Sequence, residues 1–206
     1  MVKDPDRLLS LAYAGAALRP RLELAFALDE ALGGILRTVR EPMIAQIRLA
    51  WWRDQLSALA AGNPSAPEPL LLRIGETLEV SQAKALGDLP SAWEHLLEDP
   101  LTTEAIARFA EGRAAALAAV FNSPGLTKAL SFWAMVDFAS HCSDKGLAAD
   151  VRREAQAGDP GALSALPRAV RVLAGLARDD LARPGVYAPG SPRRAWRAFR
   201  HAVLTP

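Results

Sequence analysis

"ALGGILRTVREPMIAQIRLAWWRDQL", residues 31–56, is the stretch on which the fold turns. Apolar residues recur at helical spacing on both sides of Pro42. Proline suits a first helical turn, where its missing N–H costs nothing. The stretch therefore reads as the end of one helix, about 21–40, followed by a second over about 42–61. Gly33 and Gly34 interrupt the first of these at roughly 1 kcal/mol each relative to alanine. That cost requires a reason other than helix stability. Along the same side of this helix fall Leu22, Phe26, Asp29, Gly33, Arg37 and Arg40. Either this side skirts solvent, or it lines a polar cavity in which Gly33 admits a neighbouring backbone or side chain.

The second helix carries a wide apolar sector of Ile44, Ile47, Trp51, Trp52, Leu56 and Leu59, expected to face the core. Arg48 and Gln55 project within it. A buried guanidinium is costly unless paired, so Arg48 is expected to have a partner, with Asp29 a candidate. Such a pair either anchors two helices or contributes to the polar wall of a bundle cavity. Trp51 and Trp52 point in different directions and read as packing residues; Trp51, with Asp29, Arg48 and Gln55, is also a candidate for the cavity wall.

Outward from this stretch, the chain has 206 residues, half of them apolar, which suits one domain over 1–206. Alanine and leucine dominate while aromatic residues are few, so the expectation is an all-α, single-domain helical bundle. Further helices are expected at 6–18, in "LLLRIGETLEV", in "ALGDLPSAWEHLLEDP", from Thr102 or Thr103 to 121, at 126–145 with Gly146 as C-cap, at 163–182 and at 192–204. Arg19-Pro20 is expected to close the first. A net charge of +1 gives no global field toward nucleic acid. Cys142, the single cysteine, excludes an intrachain disulfide. The N-terminus lacks the apolar run of a signal peptide, and no run reaches the ~18–20 apolar residues of a membrane span. A cytoplasmic location is the expectation, peripheral at the inner face of the membrane if a basic helix contacts lipid.

That helix is "RRAWRAFR", with Arg193, Arg194, Arg197 and Arg200 beside Trp196 and Phe199. It suits an anionic membrane or an acidic partner, or else a solvated face with its aromatics packed inward. Asp137, His141 and Asp144 share a helix face at D-x3-H-x2-D spacing, which fits a divalent transition metal or an internal Asp–His pair. Cys142 adjoins His141, but adjacent helical residues diverge by about 100°. Asp179-Asp180 reads as a surface or capping pair.

Residues 18–56, "LRPRLELAFALDEALGGILRTVREPMIAQIRLAWWRDQL", and more loosely 165–185, "ALPRAVRVLAGLARDDLARPG", resemble the squalene/phytoene synthase family. The portion "EPMIAQIRLAWWRDQL" is similar in both wording and spacing. The resemblance implies an isoprenoid-synthase fold with a central cavity and two facing DxxxD motifs. Magnesium ions that hold a diphosphate need hard oxygen ligands, and carboxylates one turn apart reach the same ion cluster. On this resemblance the first motif's carboxylates fall at Gly33 and Arg37, and the second's at Phe138 and Cys142, with His141 replacing a further acid. Neither motif is retained, a pattern similar to the non-catalytic branch whose mitochondrial relatives assist assembly of respiratory NADH dehydrogenase.

The leading expectation is a non-catalytic protein acting in assembly of a respiratory membrane complex or binding a prenyl lipid or other hydrophobic partner, without a cofactor. The alternative is a prenyltransferase that condenses prenyl diphosphates head to head, using Mg²⁺ on the displaced acids Asp29, Asp137 and Asp144. A third possibility is a helical module acting through the arginine-rich surface near the C-terminus.

Overall fold

Prolines set most of the helix starts. In a computed structural model describing residues 1–63, 66–158 and 160–204, first-turn prolines open α1 (Pro5–Ala12), α2 (Arg19–Thr38), α3 (Pro42–Ala60), α4 (Pro69–Thr77), α6 (Leu89–Glu94) and α11 (Pro192–Phe199). Side-chain caps add to this at several ends. Asp4 accepts from the N–H groups of Asp6 and Arg7, Thr102 from Ala105, and Ser191 from Arg194. The remaining helices are α5 (Val80–Gly87), α7 (Thr103–Val120), α8 (Thr127–His141), α9 (Lys145–Ala157) and α10 (Arg168–Ala182). A π-helical turn, Arg200–Leu204, extends α11. The described residues form an all-α structure with no strand.

α2, α7 and α8 make the centre. α2 buries residues on nearly every side, among them Leu22, Ala25, Phe26, Leu28, Asp29 and Leu32. α7 and α8 pair extensively, and Ala110, Ala114 and Ala118 on α7 with Ala129 and Ala134 on α8 are buried. Small residues at such contacts let helix axes approach toward the short end of the usual 8–10 Å range. α10 packs against α8, α1 and α11, while α3 rests on α5 and α6.

Several boundaries depart from the sequence reading. α1 ends at Ala12, and Arg19-Pro20 opens α2, because proline at the second helical position lacks only an N–H that would be unpaired there. The helix expected over 126–145 ends at His141; Cys142 is extended, and Asp144 caps α9 by accepting from the N–H of Leu147. Gly146 therefore lies in the first turn of α9 and is not a C-cap. α9 itself was not anticipated: its buried stripe is only Ala148, Val151 and Ala155. Pro167 divides the segment expected over 163–182, since a residue before proline is driven to extended backbone, as Leu166 is.

α3 shows the largest departure. Its buried residues are Ala45, Leu49 and Leu56, whereas Ile44, Ile47 and Trp51 of the expected core sector are exposed. Arg48, one residue and so about 100° from Leu49, is exposed and does not meet Asp29.

Candidate functional site

The polar centre of the bundle is assembled from four helices. Asp29 of α2 is fully buried, and so is Arg113 of α7. The Arg113 guanidinium donates through Nε to Asp29 Oδ1 at 3.0 Å and through Nη2 to Oδ2 at 2.7 Å. Its Nη1 donates to Asp137 Oδ2 of α8, also at 2.7 Å. Arg7 of α1 completes the group, 3.0 Å from Asp29 and 3.7 Å from Asp137. Two carboxylates thus face each other from α2 and α8, and two guanidiniums neutralise them.

Aromatic rings enclose this cluster. Arg113 stacks over Trp133 at 4.2 Å and lies near Trp93 and Phe109. Arg7 sits 5.9 Å from the Phe26 centroid and 5.8 Å from that of Trp133. Its buried Nε has no hydrogen-bond partner among the described residues; the ring faces beside its guanidinium supply cation–π attraction instead. Trp93 of α6 donates its indole N–H to Asp29 Oδ1 at 3.0 Å. That contact answers the question posed by Gly33. A Cβ there would come within 2.8 Å of Trp93 Cη2, so an indole could not lie across this turn of α2 if the residue carried a side chain. Gly34 has no such close neighbour beyond the Arg37 side chain at 3.9 Å.

Electrostatics follow from this enclosure. Burial pushes the Asp137 carboxyl up, but Arg113, Arg7 and His141 outweigh it and leave its pKa below the usual carboxylate value. Burial likewise works against the Arg113 cation, and Asp29 with Asp137 overcomes it, raising its pKa above the ordinary arginine value. A guanidinium held this way has five donors and no acceptor, and does not give up a proton near neutral pH. The cluster therefore suits neither general base nor acid work. Three of its four carboxylate oxygens meet arginine nitrogens, and the Arg113 guanidinium bridges the two acids of α2 and α8.

The other residues singled out in the sequence are dispersed. Arg37 is exposed in the last turn of α2, where a cation complements the helix dipole. Phe138 is half-buried, edge-on to Phe109 with centroids 6.3 Å apart. Cys142 lies past the end of α8, its thiol 3.4 Å from the Asp144 carbonyl oxygen. The expected grouping of Asp29, Arg48, Gln55 and Trp51 around a cavity does not form, because α3 turns Arg48 and Trp51 outward. Gln55 instead accepts from the Ala66 N–H at 2.7 Å, and Trp51 stands edge-on to Trp52 with centroids 5.2 Å apart. Asp137, His141 and Asp144 do not share one helix face, since α8 stops before Asp144. His141 contacts the Asp137 carbonyl at 2.8 Å and its carboxylate at 3.5 Å. Among the described residues no three His, Cys, Asp or Glu side chains are placed to hold a metal.

Contrary to the sequence expectation, the arginine-rich segment does not present all four of its cations to solvent or lipid. Arg194 is buried, clamped between Asp6 of α1 and Asp180 of α10, with Nε 2.6 Å from Asp6 Oδ1 and Nη1 2.7 Å from Asp180 Oδ1. Arg197 donates to Asp179, which also meets His201 Nε2 at 2.8 Å. Burial raises the Asp179 pKa, and the hydrogen bonds from His201 and Arg197 outweigh it, bringing it down to about 2. The His201 ring packs on Gly175, where a Cβ would overlap it. Two of the four arginines therefore serve as internal ties, leaving Arg193, Trp196 and Arg200 exposed.

Sequence reasoning missed Arg7, Arg113 and Trp93. Arg113 did carry a signal: in "EGRAAALAAV" it is a single cation amid alanines, four residues from Phe109 and from Leu117. A cation on an apolar helix face calls for a buried acid. Two surface depressions, of about 380 Å³ beside Thr103, Asp150, Arg153 and Glu154 and about 290 Å³ beside Ser81, Ala118, Asn122 and Thr127, lie apart from this centre. No helix among the described residues is long and apolar enough to cross a membrane. No family model, curated protein or solved structure matches the chain.

Proposed function

We propose that this chain is a non-catalytic protein of the squalene/phytoene synthase type, whose isoprenoid-synthase-like bundle has exchanged a magnesium site for a permanent ion-pair lock. The observation that carries this reading is Arg113 spanning Asp29 and Asp137 in the buried centre. The positions that the resemblance gives to metal ligands hold Gly33, Arg37, Phe138 and Cys142. The displaced acids Asp29 and Asp137, which would have to gather Mg²⁺ around a diphosphate in their place, are bridged by a guanidinium. The bundle would then act through its surface or its hydrophobic packing, in assembly of a respiratory membrane complex or in holding a prenyl or other hydrophobic partner.

The alternative, a prenyltransferase using Asp29, Asp137 and Asp144 with Mg²⁺, draws support from the convergence of the first two. It is opposed by their neutralisation and by Asp144, which caps α9. Incubation of the purified protein with farnesyl or geranylgeranyl diphosphate and Mg²⁺ separates the two. The proposal expects no head-to-head condensation product; sustained formation of one overturns it.

A further inference from the structure

From residue 181 to the C-terminus the sequence holds five arginines, one histidine and no acidic residue. Four of the arginines lie on α11 and its π-helical extension, where the structure divides them by direction. Arg194 and Arg197 turn inward onto Asp6, Asp179 and Asp180 and fix α11 against α1 and α10. Arg193 and Arg200 remain on the exposed side with Trp196, Val203 and Leu204, whose exposures are 58, 48 and 56 %. Trp196 stacks on half-buried Phe199 at 5.3 Å, which holds the indole while leaving most of it in water. Asp6 and Asp180 are engaged by Arg194, and Asp179 by Arg197 and His201.

We infer that this outer face of α11 and its π-helical extension docks onto an anionic lipid surface. Exposed arginines meet lipid phosphates, tryptophan favours the interface between headgroups and acyl chains, and two aliphatic side chains at the end supply shallow apolar insertion. The inward ion pairs present this face as a fixed unit. Its area argues against a second copy of the chain as occupant. Twelve or so residues at 1.5 Å rise and a helix about 10 Å wide cover on the order of 200 Å², whereas a stable protein interface buries about 800 Å² per partner. The other exposed apolar stripe, Met43, Ile44, Ile47 and Trp51 on α3, is bracketed by Glu41 and Asp54 and lacks this uniform charge. The inference rests on surface chemistry and is independent of whether the bundle turns over a substrate.

Co-sedimentation of the whole protein with vesicles of phosphatidylcholine, alone or mixed with phosphatidylglycerol, tests it. Binding is expected only to the mixed vesicles, weakening as salt is added. Arg193→Gln lowers the partition coefficient about fivefold, the equivalent of about 1 kcal/mol per arginine at an anionic surface. Trp196→Ser lowers it further, and Ile47→Ser on α3 leaves it unchanged. Circular dichroism verifies folding of each variant, and Arg193→Glu provides a second, purely electrostatic probe. Failure to bind mixed vesicles, equal binding to neutral ones, or undiminished binding by the Arg193 and Trp196 variants overturns the inference. So does loss through Ile47→Ser, or a dimer in sedimentation that Trp196→Ser dissociates.

Discussion

Replacing Arg113 with leucine removes the cation that two buried carboxylates share. Asp29 would keep Arg7 and the Trp93 indole, while Asp137 would keep only the more distant Arg7 and His141. Breaking a buried ion pair from one side costs about 3–5 kcal/mol, and urea denaturation of Arg113→Leu should show a loss of that order. Arg113→Lys should recover only part of it, because an ammonium cannot reach both acids with a planar fork. Gly33→Ala sets two effects against each other. Alanine contributes up to about 1 kcal/mol of helix propensity, but its Cβ meets Trp93 at 2.8 Å, and overpacking of this kind costs about 1–3 kcal/mol. Net destabilisation is expected, with altered Trp93 fluorescence; a stabilised variant would show that the indole does not depend on that gap. Asp29 and Gly33 were legible in the sequence because they broke an apolar stripe. Their partners were not, since Arg7, Trp93 and Arg113 lie 22, 64 and 84 positions from Asp29 and nothing local encodes that meeting.

Helix starts were easier to read than helix ends. Prolines and capping acids are local signals, and α3, α7 and the entry to α1 agree with the sequence to within a residue or two. α9 escaped because three small or medium apolar residues on a charged helix make a faint stripe, and α3 misled because its larger apolar residues are the exposed ones. The docking of α11 has a pH signature. An unfolded aspartate titrates near 3.9, and the folded Asp179 is held down to about 2. Its contribution is therefore complete above about pH 4 and is lost as pH falls toward 2. Hydrogen exchange over residues 192–204 should rise across that window. In Asp179→Asn the same residues should exchange faster already at neutral pH, with a smaller further change on acidification. An unchanged acid profile in the variant would remove Asp179 from the account.

For the molecule as a whole, the composition and the helical period were enough to establish an all-α structure, because alanine and leucine leave little else for this chain to build. Its chemistry depends on which charges meet in the interior. A bundle centred on metal-bridged carboxylates becomes more stable when metal and diphosphate bind, since a ligand selective for the folded state adds its binding free energy to folding. A centre already neutralised by Arg7 and Arg113 has nothing comparable to gain. Isothermal titration of the protein with a non-hydrolysable farnesyl diphosphate analogue, with and without Mg²⁺, distinguishes these cases. The account predicts no saturable, magnesium-dependent heat. Stoichiometric binding that requires Mg²⁺ and disappears in Asp29→Asn would contradict it.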